Sequence, residues 1–422
     1  MVGSSMACAL GKNPLFSNKS ILLIEGNPKK NWEFSPKYSN RVSSINISTK
    51  RIFEDLGIWK HIEGVRYQVV TDIKVWGENS ANHTHFQPTP IGDMAFIVEN
   101  DVIVNAVTKE LENLSNVSRL YGLKINNVHI PEERKMVRLI LEDGSNFSGS
   151  LLIGADGANS NIRSALGVKY LTWSYNQSAI VATLEIFPDD STTVAWQKFT
   201  PDGTIAILPL TDSLRSLVWS TSTVKANELM SLSDDDFIDL LNDSLIGPCA
   251  QDEFVKLTDN AVNSVLNFLK FPIAKGELVP PYMSSIHSGS RASFPLGFGH
   301  STKYIGPRTA LIGDAAHRVH PLAGQGVNLG FCDVKNLQDT LAEGVLQGRT
   351  LGNFTDLSKY EFRSQTHNLP VMIAIDILQR MYTTEWKPIK AVGNVCFKIA
   401  ESFPQIKVSI KNYLGVAYFS FT

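Results

Sequence analysis

The chain opens with a small, partly apolar run, Gly3 to Leu10, whose character is helical. A short apolar block follows, "SILLIEG" (Ser20–Gly26), bounded by turn residues and ending in the acid Glu25. Its length and flanks predict a buried strand. After a helix start near Ser48, Ile52, Phe53 and Leu56 recur at helical spacing, and residues 69 to 87 turn strand-like. "NDVIVNAVTKELEN" (Asn100–Asn113) returns to helix. "VRLILEDGSNFSGSLLIGADG" predicts a hairpin around Asp143-Gly144 that runs into a further buried strand, Leu151–Ile153. Residues 171 to 295 read mainly as strands, in "AIVATLEIF", "VAWQKF", "IAILPL" and "SLVWS", with a helical stretch from Asp234 to Leu269. A third short apolar run, Ala310 to Ile312, stops at Gly313-Asp314, and after Gly330 the chain is largely helical.

Parallel-sheet elements thus fall at the beginning, near 150 and near 310, with a β-rich insert between them. The expectation is an α/β fold whose main domain is assembled from separate pieces of chain. Residues 1–68, 95–170 and 296–345 would form that domain, 69–94 and 171–295 the inserted sheet, and 346–422 a helical C-terminal region. At 422 residues and 43% hydrophobic, the chain can supply two or three cores. The formal net charge of −2, without a long basic run, gives no nucleic-acid footprint. Cys8, Cys249, Cys332 and Cys396 are scattered with no CxxC pair, as expected of free thiols in a reducing compartment. No apolar run approaches the roughly 18–20 residues of a membrane span. The densest, "VMIAI" (Val371–Ile375), is ended by Asp376.

Three places carry candidate chemistry. Glu25, at the end of an early strand, can hydrogen-bond a ribose hydroxyl pair, or is simply a solvated acid. In "LLIGADGANSNIR", Gly157 permits a tight turn, Asp156 can orient neighbouring amides, and Arg163 can offset phosphate charge; an ordinary capped strand-to-helix turn reads the same way. "TALIGDAAHRVHPLAGQGVNLG" (Thr309–Gly330) is more specific. Asp314 ends a strand, where a carboxylate can grip polyol hydroxyls. Pro321 and Gly324-Gln325-Gly326 let a flat ring approach bare backbone, and Val327 and Asn328 begin a helix whose positive end favours negative charge. A polyol, a flat ring and a seat for negative charge together describe the ribityl chain and isoalloxazine of a flavin. His317 and His320 lie three apart, but no third residue has matching metal-ligand spacing. A histidine beside the flavin, or a structural one, suits this loop better.

With "IGADG" and Arg163, and "GDAAH...P..GQG.N.G", the sequence resembles the class A flavin-dependent aromatic hydroxylases, the para-hydroxybenzoate hydroxylase superfamily. Within it, "YSNRVSSI", "IVENDVI", "WSYNQSAIVATL", "VAWQKF" and "FPLGFGH" resemble the mitochondrial ubiquinone (coenzyme Q) biosynthesis monooxygenases over nearly the whole chain. The resemblance implies a Rossmann-like FAD-binding domain with an inserted β-sheet substrate domain. It implies that Glu25 binds the FAD ribose and that Arg41 contacts the cofactor near its ribityl and pyrophosphate region. Asp156 would belong to the Asp-Gly motif, Gly313-Asp314 would hold the ribityl hydroxyls, and Pro321 and Gly324 to Asn328 would line the isoalloxazine. Reduced FAD would react with O2 to give a C4a-hydroperoxide that the electron-rich ring of a polyprenylated 4-hydroxybenzoate or phenol attacks. The cofactor carries this step, so no catalytic side chain is expected. Electrons would come from a ferredoxin and its reductase. The location implied is the matrix side of the inner mitochondrial membrane, among other ubiquinone-biosynthesis proteins.

The superfamily begins with a strand and G-x-G-x-x-G. Here Met1-Val2-Gly3 supplies only the last glycine, so the chain as written is expected to bind FAD poorly until an upstream strand ending in Gly-x-Gly is restored. An NAD(P)H-driven hydroxylase of a small soluble aromatic, or a truncated non-catalytic subunit of the biosynthetic complex, remain alternatives from the residues. Leu369 to Ala417 is expected to offer a membrane-surface or partner-facing patch. Its apolar residues are Ile373, Ile375, Ile377, Leu378, Met381, Val395 and Phe397, and its bases are Lys387, Lys390, Lys398, Lys407 and Lys411.

Overall fold

Short apolar blocks between turn residues become strands in this chain, and longer amphipathic runs become helices. A computed structural model describes residues 1–77, 83–87, 93–130, 136–187, 192–246 and 279–384. Helix α1 (Val2–Lys12) precedes strands β1 (Ile21–Glu25) and β2 (Val42–Asn46), then helices α2 (Ile47–Asp55) and α3 (Trp59–Glu63). Strands β3 (Gln68–Val70), β4 (Asp72–Trp76), β5 (His83–Phe86) and β6 (Ala95–Glu99) lead to helix α4 (Asn100–Glu112). Next come β7 (Val117–Tyr121), β8 (Ile125–His129), β9 (Val137–Leu141), β10 (Asn146–Gly149), β11 (Leu152–Gly154) and helix α5 (Asn161–Leu166). The long strand β12 (Tyr170–Ile186) is followed by β13 (Val194–Thr200), β14 (Gly203–Pro209) and β15 (Leu214–Ser222). Helices α6 (Thr223–Ser231) and α7 (Asp234–Ile246) then precede β16 (Met283–Ile286) and β17 (Ala292–Ser301). Last are β18 (Ile305–Gly306), β19 (Thr309–Leu311), β20 (His317–Arg318) and helices α8 (Gln325–Leu346) and α9 (Phe354–Thr383).

Among the described residues the inserted sheet has nine strands, ordered β20-β17-β12-β15-β14-β13-β4-β5, with β16 also on β12. Strand β17 carries this sheet to Ser301, a few residues past 296, because its ladder with β12 continues to Tyr170↔Ser301. The main domain holds smaller ladders. Strands β1 and β7 run parallel with Ile21 opposite Val117, and β11 and β19 run parallel with Leu152 opposite Thr309. Antiparallel sets β2-β6-β3 and β8-β9-β10 complete it, the latter containing the hairpin around Asp143-Gly144.

Three expectations change. Strand β1 is half-buried rather than buried, and so is the Leu151–Ile153 run at β11, since each strand has one ladder partner among the described residues, β7 and β19 respectively. Helix α6 falls where strand was read: the Ser222 hydroxyl caps it by accepting the Lys225 N–H, and Ala226 and Leu229 bury one face against the sheet. Helix α8 starts at Gln325, before Val327, because Gly324 at its N-cap adopts φ 62° and turns the chain into the helix early. The stretch 247–278 and everything after Thr384 lie outside the described residues, including Cys249, Cys396, Val395, Phe397 and the five C-terminal lysines.

One core gathers Met6, Ala7, Cys8 and Ala9 of α1 with Phe53, Val102, Ile103, Phe331 and Val334. A second lies between the large sheet and helices α6 and α7, around Trp196, Leu217, Trp219, Phe237 and Leu241. The far end of α1 is tied down by a buried carboxylate. Glu110 on α4 accepts from Lys12 at 2.8 Å, Lys60 at 2.8 Å and His61 at 2.7 Å. Burial works against its charge, but these hydrogen bonds outweigh it and hold its pKa down to about 2, below the ordinary 4.5. A depressed folded pKa stabilises above the unfolded value and is lost as pH falls through the folded one. Glu110→Gln is therefore expected to cost about 2–3 kcal/mol above pH 5, with the difference from the parent shrinking steadily towards pH 2. Guanidinium unfolding of both proteins across that range checks it; a pH-independent difference contradicts it.

Candidate functional site

The first turn of α1 sits closer to its neighbours than side chains normally allow. A Cβ on Gly3 would stand 2.9 Å from the Cβ of Ala155, just past β11. Added Cβ atoms on Gly313 and Gly330 would fall 3.3 and 2.8 Å from the Val2 methyls. The amino group of Met1, its pKa lowered by burial, feels the opposing pull of both Glu25 and Asp314. The ends of β1, β11 and β19 and one face of α8 therefore meet at the N-terminus of α1. This is the carboxyl end of parallel strands, with a helix's positive end among them.

Around that point the sequence-predicted residues take distinct jobs. Glu25 ends β1 half-exposed and accepts the Asn27 backbone N–H at 3.0 Å and its Nδ2 at 2.8 Å. Asp156 accepts the Ser160 hydroxyl, the Asn161 N–H at 2.8 Å and the Ile162 N–H at 3.2 Å, so it orients amides at the start of α5. Gly157 beside it has φ 83°. The Arg163 guanidinium is buried, stacked 3.8 Å over Tyr170, and donates to the carbonyls of Ala315 at 2.9 Å and Ala158 at 2.7 Å. It thereby links the Asp156-Gly157 turn to the Gly313-Asp314 turn. Asp314 reaches solvent, yet the protein around it raises its carboxyl pKa by desolvation, with His317, Arg318 and the amino terminus opposing.

Pro321 lies in a single 3-10 turn that runs into Gly324 and Gln325. Asn328, buried on the first turn of α8, donates to the carbonyls of Ser44 at 2.9 Å and Gly324 at 3.2 Å and accepts the Asn46 N–H at 3.1 Å. Its amide shapes the loop, while Gly326 and Val327 remain half-exposed. Arg41 precedes β2, and its exposed guanidinium has no hydrogen-bond or ion-pair partner among the described residues.

The two loop histidines point to different neighbours. His317 Nε2 lies 2.6 Å from the fully buried Asp333 carboxylate on α8. The Gln177 amide is oriented by donating to the Asp202 carbonyl at 2.9 Å, and its oxygen accepts from Gln379 at 2.7 Å and from His320 Nε2 at 3.3 Å. Burial, only partly opposed by Asp376, drops the His320 pKa to about 4, so this ring is neutral near pH 7. Beyond it, Tyr175 donates to Asp376 at 2.9 Å and Trp173 stacks on Phe298 with centroids 3.9 Å apart. Phe298, Leu322, Leu329, Met372 and Ile375 form an apolar layer joining the large sheet, the Pro321 loop and α9.

Asp333, Asn46, Ser44 and Asn368 were not singled out from the sequence. Asp333 did carry a signal: it occupies a core position in the series Leu329, Asp333, Leu337, Leu341, where an acid needs a buried partner.

A family model described as FAD binding domain matches residues 291–362. The protein from Rattus norvegicus named ubiquinone biosynthesis monooxygenase COQ6, mitochondrial, is 43% identical over 397 residues, covering 92% of this chain and 83% of that one. Its Homo sapiens counterpart is 42% identical over 397 residues, covering 92% and 85%. The chain belongs to the COQ6 family of ubiquinone biosynthesis monooxygenases. Among solved structures, the fold is shared with PqsL, a probable FAD-dependent monooxygenase from Pseudomonas aeruginosa (TM-score 0.67, 19% identity, 94% and 96% coverage). It is shared too with p-nitrophenol 4-monooxygenase PnpA from Pseudomonas putida (TM-score 0.69, 15% identity, 98% and 95% coverage).

Asp314 lies at the meeting point in the 3-10 turn just past β19, rather than at the strand end expected, whereas Glu25 already has Asn27 as a partner. Asp314→Ala is therefore expected to weaken FAD binding by about 10- to 150-fold, the loss of a charge-assisted hydrogen bond, and by more than Glu25→Ala does. Fluorescence titration with FAD measures both, and equal retention of flavin by the parent and the Asp314 variant contradicts it.

Proposed function

We propose that the cleft at the N-terminus of α1 holds FAD. Gly3 and the Asp156-Gly157 turn would lie at the phosphates, with Arg163 holding that turn against the Gly313 turn. Glu25 would take the ribose, Arg41 the pyrophosphate side, and Gly313-Asp314 the ribityl chain. Pro321 and the Gly324-Gln325-Gly326-Val327-Asn328 loop would take the ring. The residues present fit the group: open backbone at Gly157, an exposed acid in the 3-10 turn just past β19, and the N-terminus of α8. The close packing of α1 against Ala155, Gly313 and Gly330 is the observation that carries this reading.

As a COQ6-family member, the chain is an FAD-dependent monooxygenase acting in ubiquinone biosynthesis on a phenolic substrate with O2, and it is mitochondrial. Bound and reduced, FAD supplies the activated oxygen for ring hydroxylation. The protein's part is to bind, orient and exclude water. The apolar layer from Leu322 and Leu329 to Met372 and Ile375 backs the loop with closely packed side chains that keep water away from it. His320, neutral and fixed by Gln177, holds Pro321 without adding charge there.

The electron donor in this reading is a ferredoxin with its reductase, and the enzyme works with other ubiquinone-biosynthesis proteins on the matrix face of the inner membrane. Half-exposed Ile373 and Ile377 beside exposed Arg380 on α9 support a membrane-surface contact. No helix among the described residues is long and apolar enough to cross a membrane.

Protein loaded with FAD and reduced through ferredoxin is expected to place one oxygen atom from 18O2 on the ring of a prenylated 4-hydroxybenzoate or phenol, read by mass spectrometry. Equal turnover of a small unprenylated aromatic with NADPH favours the soluble-substrate alternative. Flavin binding without any labelled product removes the hydroxylase reading for this chain.

A further inference from the structure

We propose that Asp333 is a positioning residue for the FAD turn, acting through Gly313 and His317. The inference rests on the cofactor site assigned above. The Asp333 carboxylate is fully buried on α8. Its Oδ2 accepts the Gly313 backbone N–H at 3.0 Å and lies 2.6 Å from His317 Nε2, and its Oδ1 accepts from Asn368 on α9 at 3.0 Å. One carboxylate thus joins the Gly313-Asp314 turn, strand β20 and both long helices.

The Gly313 peptide sets the direction in which Asp314 leaves the turn, so fixing its N–H fixes that carboxylate before cofactor arrives. Asp333 also lies five residues after Asn328, about 7.5 Å along the helix whose N-terminus faces the ring loop. The ribityl-binding acid and the ring-binding loop are therefore held in register by a single rigid element. His317 completes the arrangement. Burial disfavours its charge, but the charge and hydrogen bond of Asp333, with a contribution from Asp314, raise its pKa overall. The imidazole is thereby held against the Asp333 carboxylate, and the Tyr304 ring packs against it with ring centroids 5.8 Å apart.

The test uses the full chain and four proteins: parent, Asp333→Asn, His317→Gln and Asp314→Ala. FAD affinity is measured by fluorescence titration well below each unfolding temperature, and unfolding temperature is measured without FAD. Asp333→Asn keeps shape and loses charge, and it is expected to weaken FAD binding about tenfold or more while the protein remains folded at the titration temperature. His317→Gln is expected to lie between it and the parent. A folded Asp333→Asn protein with parental FAD affinity, altered only in unfolding temperature, overturns the proposal and makes the residue structural. If Asp333→Asn does not fold, parental affinity in His317→Gln overturns it. Failure of the cofactor reading looks different: the parent then binds no FAD, or Asp314→Ala binds as the parent does.

Discussion

The contact of Val2 with Gly313 and Gly330 is the constraint on which the rest of the site depends. A flat, polyanionic cofactor can be held by main chain only where side chains are missing and a helix start faces the ends of strands. A Cβ on Gly330 would run into Val2, one on Gly313 would crowd it, and one on Gly3 would run into Ala155. Helix α1 is therefore closely packed at its first turn, and Lys12 on Glu110 secures its other end. Glu25 and Asp314, far apart in the sequence, both come to bear on the amino group at the start of that helix.

Most side chains around the cleft serve the backbone rather than facing a ligand. Asp156 caps α5, Arg163 bridges two turns through carbonyl oxygens, and Asn328 stitches the ring loop to β2. This suits a flavoenzyme whose chemistry resides in the cofactor. The protein then contributes fixed dipoles and an apolar wall, and both need to be in place before binding. The buried Asp333–His317 pair belongs to the same logic, since a fixed hydrogen-bond network at the back of a turn holds the acid at its front.

Local pattern revealed the elements and the motifs. The apolar runs before Glu25, Asp156 and Asp314 are strands, Asp143-Gly144 is the hairpin turn, and the Gly-Gln-Gly loop opens a helix. Partnerships across long sequence separations were not legible, because periodicity reports which face is buried and not against what. Asn328 with Asn46, and Asp333 with Gly313, His317 and Asn368, are of this kind. Helix α6 was hidden for a different reason: its opening Thr223-Val224 is β-branched and directly follows strand β15, and the Ser222 cap outweighs strand propensity there. The burial of β1 was overstated because a strand's exposure depends on whether both its edges are paired.

Hydrogen exchange read by mass spectrometry, with and without saturating FAD, addresses the placement of the cofactor most directly. FAD is expected to slow exchange in three separated peptides together: the first turn of α1, the end of β1 through Gly26, and Gly313 to Asn328. Helices α6 and α7, behind the large sheet, are expected to exchange unchanged. Protection confined to α6 and α7, or absent from Gly313 to Asn328 at saturation, would contradict a cofactor site at the N-terminus of α1.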